Sequence, residues 1–206
     1  MAKKRTRNTR GKIISAAWKL FYEQGYDDTT VDEIIKGEKF DVVTLQQVSH
    51  FSGQYETYQP YLNNLIDYVK KHQPEAKLYF HKTWAYEIDS KHSEYPIYDC
   101  DQEKMYASIC RVSKRVCDET GLSPILSGDV IQAMRTRLPE FDYKNGGMTL
   151  CLDDGFHMSR TYGRYAVALT WLATLTKKPV TPTPFNDLDK ALCAKICDIV
   201  NEIVFK

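Results

Sequence analysis

Apolar residues fall at helical spacing along much of the chain, and in three places they crowd into short runs instead. Ile13, Ala17, Leu20 and Phe21 share one face of a helix predicted over 10–24, which Gly25 closes. Thr30-Val31-Asp32-Glu33 has the residues of a capping box and opens a second short helix, ended by Gly37. The β-branched run Phe40 to Leu45 then suits a buried strand. Residues 55–72 return to helical spacing through Tyr58, Leu62, Leu65 and Val69, with Pro74 as the stop. Ala76 to Thr83 reads as a second strand, and a polar, aromatic loop follows from Trp84 to about Asp99. Met105, Ile109, Val112 and Val116 mark a helix over 101–119, and Ser123 to Ser127 a third strand. A helix over 128–138 and a loop through Asn145-Gly146-Gly147 come next. Tyr162, Tyr165, Leu169 and Leu172 set a helix over 160–176, with Tyr162, Tyr165 and Trp171 expected in the core. The prolines of 177–184 exclude helix, and Asn186 is expected to cap a last helix that buries Leu188, Leu192, Ile196, Ile199 and Ile203.

From residue 40 the order is β-α-β-α-β-α-α. Short apolar strands alternating with helices imply an α/β fold, an open sheet of about three parallel strands joined by right-handed crossovers. The N-terminal helical pair stands apart from it.

Charge changes this picture at one end. Residues 1–12 hold six basic groups, Lys3, Lys4, Arg5, Arg7, Arg10 and Lys12, and no acid. The remainder carries 22 basic against 27 acidic residues, so a basic arm precedes a mildly acidic body. No stretch approaches the roughly 18 apolar residues of a membrane helix. Lys19 interrupts the apolar stretch behind the basic start, so no secretory signal is read. The expectation is a cytoplasmic protein without membrane association, its six cysteines reduced. Cys193 and Cys197, spaced i, i+4 with no neighbouring histidine, read as small core residues. His50, His72, His81 and His92 have no metal-ligand spacing, and no metal or organic cofactor is indicated.

Two blocks carry candidate chemistry. Thr9 to Ile35 (TRGKIISAAWKLFYEQGYDDTTVDEII) resembles the N-terminus of TetR-type transcriptional regulators over 27 residues. The resemblance implies phosphate contacts by Lys3, Lys4, Arg5, Arg7 and Arg10, and helices that brace a DNA-reading unit. After Gly37, where such a regulator has its recognition helix, this chain turns to a strand-like run. Base edges are read by that helix, so the resemblance does not extend to sequence-specific DNA binding.

The second block is Asp154-Gly155-Phe156-His157, ahead of the helix near Arg160. A carboxylate three residues before a histidine can orient the ring through Nδ1, leaving Nε2 to act as a general base. Residues 38–180 as a whole resemble the C-terminal two-thirds of an SGNH (GDSL-type) hydrolase, through FDVVTLQQVSHFSG, TWAYE, GLSPILSGDVIQ and LDDGFHMSRTYGRY. That resemblance implies an incomplete flavodoxin-like α/β/α fold and hydrolysis of acyl esters on carbohydrates or lipids. His157 would be the base and Asp154 its orienting carboxylate. Gln46, Gln47 or the ring of His50 would stand where the family places an oxyanion-hole Asn. Trp84 and Tyr86 would line a cleft or pack.

The family's Gly-x-Ser nucleophile and its first two strands have no counterpart, since TetR-like sequence occupies that place. Ser15 lies in an amphipathic helix, and Ser49 and Ser52 follow the oxyanion block, so no serine is assigned as nucleophile. The chain therefore reads as a fusion: a truncated TetR-like start over 1–36, an SGNH-like domain over 38–180 and a C-terminal helix over 186–206. The expected function is an impaired acyl esterase remnant, with a TetR-type regulator as the alternative. Loss of two strands would leave the first retained strand as an open edge, which a homodimer could close.

Overall fold

A computed structural model describes residues 30–37 and 39–206. The helix predicted over 10–24 and the basic residues Lys3 to Lys12 lie outside the described residues. The chain forms two units that alternate along the sequence. The smaller takes its described residues from 30–43 and Pro60–Lys77; the larger consists of Thr44–Gln59 and Leu78–Lys206.

In the smaller unit, helix α1 spans Val31–Gly37 and opens on the expected capping box. Thr30 N donates to Glu33 Oε2 at 2.9 Å, and Glu33 N donates back to Thr30 Oγ1 at 3.3 Å. Helix α2 spans Tyr61–His72. The single helix predicted over 55–72 is interrupted: Tyr55–Thr57 forms a 3-10 turn and Pro60 precedes the α-helix. Proline has no N–H to continue the ladder, so the helix restarts after it. Leu62, Ile66 and Val69 are the buried face of α2, whereas Leu65 is exposed. Gln73 ties this unit together, accepting from Phe40 N and donating to Ile35 O.

Strand β1 spans Val42–Leu45, β2 Lys77–His81 and β3 Ser123–Ile125. They form a three-stranded sheet in the order β1-β2-β3. β2 and β3 run parallel, with Tyr79 opposite Ser123 and His81 opposite Ile125. This is the α/β class and strand number that the alternation predicts.

Four helices complete the larger unit: α3 Gln102–Thr120, α4 Ser127–Arg137, α5 Tyr162–Thr176 and α6 Lys190–Val204. Asp101 caps α3 by accepting from Lys104 N at 2.9 Å, and Gly121, at φ 71°, ends it. α6 starts later than predicted. Its cap is Asp189, which accepts from Leu192 N at 2.8 Å, while Asn186 turns the chain at φ 49°. The main core joins Ile131 and Met134 of α4, Tyr165 and Leu169 of α5, and Leu192, Ile196 and Val200 of α6. Cys193 and Cys197 are buried in it as small apolar residues, and all six cysteines are free.

The exit of β2 and the first turn of α4 press directly together. Gly128 N donates to Lys82 O at 3.0 Å, and a Cβ on Gly128 would stand 2.0 Å from the Thr83 carbonyl oxygen. Only glycine fits without moving one backbone off the other. Gly128→Ala is expected to cost about 1–3 kcal/mol, read as a lower urea midpoint. An unchanged midpoint would show that this contact is looser than described.

Candidate active site

In open α/β sheets the carboxyl ends of parallel strands are where functional side chains gather. Here Gln46 follows β1, His81 ends β2 and Ser127 follows β3. His81 Nδ1 pairs with Gln46 Oε1, and its Nε2 lies 2.9 Å from Ser127 Oγ. The amide oxygen accepts, so Nδ1 carries the proton and Ser127 donates to Nε2. Burial of the ring holds the His81 pKa down at about 4, so it is neutral. Ser127 is completely buried and has no path to a substrate. The trio fastens three strand ends together. Sequence reading missed it, since His81 was noted there only for lacking metal-ligand spacing and Ser127 was given no role.

The loop after β2 supports the second set of groups. Trp84 Nε1 donates to Phe156 O at 2.8 Å, Glu87 N to Gly155 O at 2.7 Å, and Ser90 Oγ to Asp154 O at 3.3 Å. Gly155, at φ 74°, packs so closely that a Cβ would lie 2.7 Å from Ser90 Cα. Segment 154–157 is thereby clamped along its backbone. The clamp is itself anchored by a buried ion pair. The Glu87 carboxylate lies 3.3 Å from Arg135 Nη2 and accepts from Gln102 Nε2 at 2.9 Å and Thr149 Oγ1 at 2.8 Å. Arg135 Nη1 donates to Ala85 O at 2.9 Å.

On this platform Asp154 and His157 meet as their spacing predicts. Asp154 Oδ1 accepts from Phe156 N and His157 N, both at 2.9 Å. Its Oδ2 lies 2.8 Å from His157 Nδ1. Partial desolvation pushes the Asp154 pKa up, but the two backbone donors and the ring together outweigh it and hold it below the usual carboxylate value. The ionised carboxylate accepts from Nδ1–H, which leaves the Nε2 lone pair of His157 directed outward; the side chain is 64% exposed. A base of this form can take a proton from a hydroxyl or a water.

A run of rings joins His157 to the block after β1. Phe156 lies 4.3 Å from His157 between centroids, His92 4.8 Å from Phe156, and His50 5.1 Å from His92. Desolvation, and then the neighbouring His50, lower the His92 pKa. Tyr86 packs against both His92 and Phe156, and its hydroxyl is 2.8 Å from Ser49 Oγ. Of the three residues named for an oxyanion role, His50 is thus the one within this cluster. Gln47 instead directs its amide N–H groups at Thr57 O and Oγ1, at 3.1 and 3.0 Å, and Gln46 is held by His81. Among the described residues no serine hydroxyl bonds to the His157 imidazole; Ser49 bonds to Tyr86 and Ser52 to Val48 O. Among the described residues no three His, Cys, Asp or Glu side chains converge as a metal site.

The family model for a domain of unknown function, DUF4886, matches residues 22–202. The chain belongs to the DUF4886 family. A DUF4886 family protein from Bacteroides uniformis, solved by crystallography at 1.50 Å resolution, is 30% identical, with a TM-score of 0.75. The match covers 86% of this chain and 67% of that one, so about a third of the Bacteroides chain has no counterpart here. A search of curated proteins finds none that matches. The DUF4886 match begins at residue 22, inside the stretch that reads as TetR-like.

His81 gives this DUF4886 chain a pH signature. The unfolded ring, near 6.5, takes up a proton before the native one does at about 4. Stability is therefore full above about pH 6.5 and falls as pH drops toward about 4, by up to about 3 kcal/mol. NMR signals of the His81 ring are expected to stay flat from about pH 8 to about pH 5. A titration step centred near 6.5 would contradict the buried placement.

Proposed function

We propose that the larger unit is the base half of an SGNH-type acyl esterase, with His157 as general base and Asp154 as its orienting carboxylate. The observation that carries this reading is the 2.8 Å contact between Asp154 Oδ2 and His157 Nδ1, on a clamped loop, with Nε2 left open. Hydrogen bonding at Nδ1 fixes the tautomer in which Nε2 can accept a proton. The oxyanion donor in this reading is His50, which is linked to His157 through the rings of His92 and Phe156. The covalent half is not among the described residues. Base, nucleophile and oxyanion donors act as a unit, so the remaining pair has only weak hydrolytic power.

Strands β1 to β3 favour this reading over a TetR-type regulator, whose ligand-sensing body is all-helical. The basic arm, Lys3 to Arg10, is the feature that would serve such a regulator.

The full chain is expected to hydrolyse p-nitrophenyl acetate slowly, without a burst and without an acyl group on any serine by intact-mass spectrometry. His157→Ala should lower that rate by about a hundredfold or to the buffer level. A burst with an acylated serine, or a rate indifferent to His157→Ala, would contradict the proposal.

A further inference from the structure

Helix α5 is apolar nearly all round. From Tyr165 to Leu175 only Thr170 and Thr174 interrupt, and both are buried, returning their hydroxyls to Ala166 O and Thr170 O at 2.8 Å. A helix apolar on every side has two faces to cover. The core takes one. The other is open: Leu172 is 52% exposed and Leu175 37%. This face forms one wall of a groove of about 750 Å³, whose lining includes Trp84, His157, Arg164, Trp171, Leu172 and Leu175.

The groove's cation and imidazole, Arg164 and His157, are near one end of α5, and its other polar residue, Thr176, spends its hydroxyl on Leu172 O at 2.6 Å. Arg164, Trp171, Leu172 and Leu175 stand at i, i+7, i+8 and i+11, along one helix face roughly 16 Å long. Arg164 Nε donates to Met158 O at 3.3 Å, which sets the guanidinium beside the residue that follows His157. No carboxylate pairs with Arg164 among the described residues. Away from this end, Trp171, Leu172 and Leu175 supply an apolar wall. A long apolar trough with a cation and an imidazole at its mouth matches an aliphatic chain that ends in a carboxyl group.

We propose that this groove binds the aliphatic acyl chain of a fatty ester or fatty carboxylate, its tail along α5 and its carboxyl head at Arg164 and His157. The placement of the head against His157 rests on the esterase reading; the apolar trough and its cation do not. The volume lies in the ordinary range for small-ligand sites, roughly 300–1,000 Å³.

The test is a titration of the full chain with dodecanoate, followed by tryptophan emission, because Trp84 and Trp171 both line the groove. Dodecanoate is expected to shift the emission to the blue and saturate, and acetate at the same concentrations to do neither. Leu172→Asp, at an exposed position, is expected to weaken dodecanoate binding at least about tenfold. Arg164→Gln should weaken dodecanoate about tenfold and leave dodecanol unchanged. His157→Ala should remove ester turnover and weaken dodecanoate binding by less than Arg164→Gln does. Binding without turnover in the native chain would thus sink the esterase reading alone, and turnover without dodecanoate binding the groove alone. An equal response to acetate, or no effect of Leu172→Asp, overturns the proposal. So does a concentration-dependent dimer in sedimentation that Leu172→Asp dissolves and dodecanoate leaves intact, which would assign the face to a second copy of the chain.

Discussion

The candidate site depends on one buried ion pair, Glu87 with Arg135. Both side chains are almost entirely out of solvent, and each makes further bonds: Glu87 with Gln102 and Thr149, Arg135 with the Ala85 carbonyl. Neither partner is affordable alone, since an unpaired buried charge costs about 3–5 kcal/mol. The pair therefore fixes where α3, α4 and the loop after β2 meet. That loop passes its position on through its backbone, because Glu87 N and Trp84 Nε1 hold the carbonyls of Gly155 and Phe156. His157 is exposed and makes few contacts of its own. Its orientation comes from the loop beneath it and from Asp154.

Rigid placement of this kind is what a general base needs and what a surface histidine seldom has. The strand ends add a second fixed point. Gln46, His81 and Ser127 knit the carboxyl edge of the sheet with neutral hydrogen bonds, where burial keeps the imidazole uncharged. One histidine is thus buried, neutral and structural, and the other is exposed, oriented and chemically available. Their environments separate the two roles.

The sequence made local features legible and hid distant ones. Asp154 and His157 are three residues apart, so their meeting follows from a tight turn at Gly155. The capping box at Thr30 and Glu33 is equally local. Periodicity located the helices and strands but erred where a backbone property intervened, as at Pro60 and again at Asn186. It also cannot say which side of an apolar helix is covered. Leu172 lies on the periodic face of α5 yet is 52% exposed, and Trp171, expected in the core, lines the same open groove. The pairings of Glu87 with Arg135 and of His81 with Ser127 join separate elements and leave no pattern in the chain. Only the phrases TWAYE and GLSPILSGDVIQ, which contain Glu87 and Ser127, hinted that these stretches matter.

The central claim is that Asp154 holds the His157 ring with its proton on Nδ1 and its lone pair on Nε2. Long-range proton–nitrogen NMR of the histidine rings reads that tautomer directly. The account predicts the Nδ1–H form for neutral His157 in the native chain, and a shift toward the Nε2–H form in Asp154→Ala. An Nε2–H tautomer in the native chain, or a spectrum indifferent to Asp154→Ala, would contradict it.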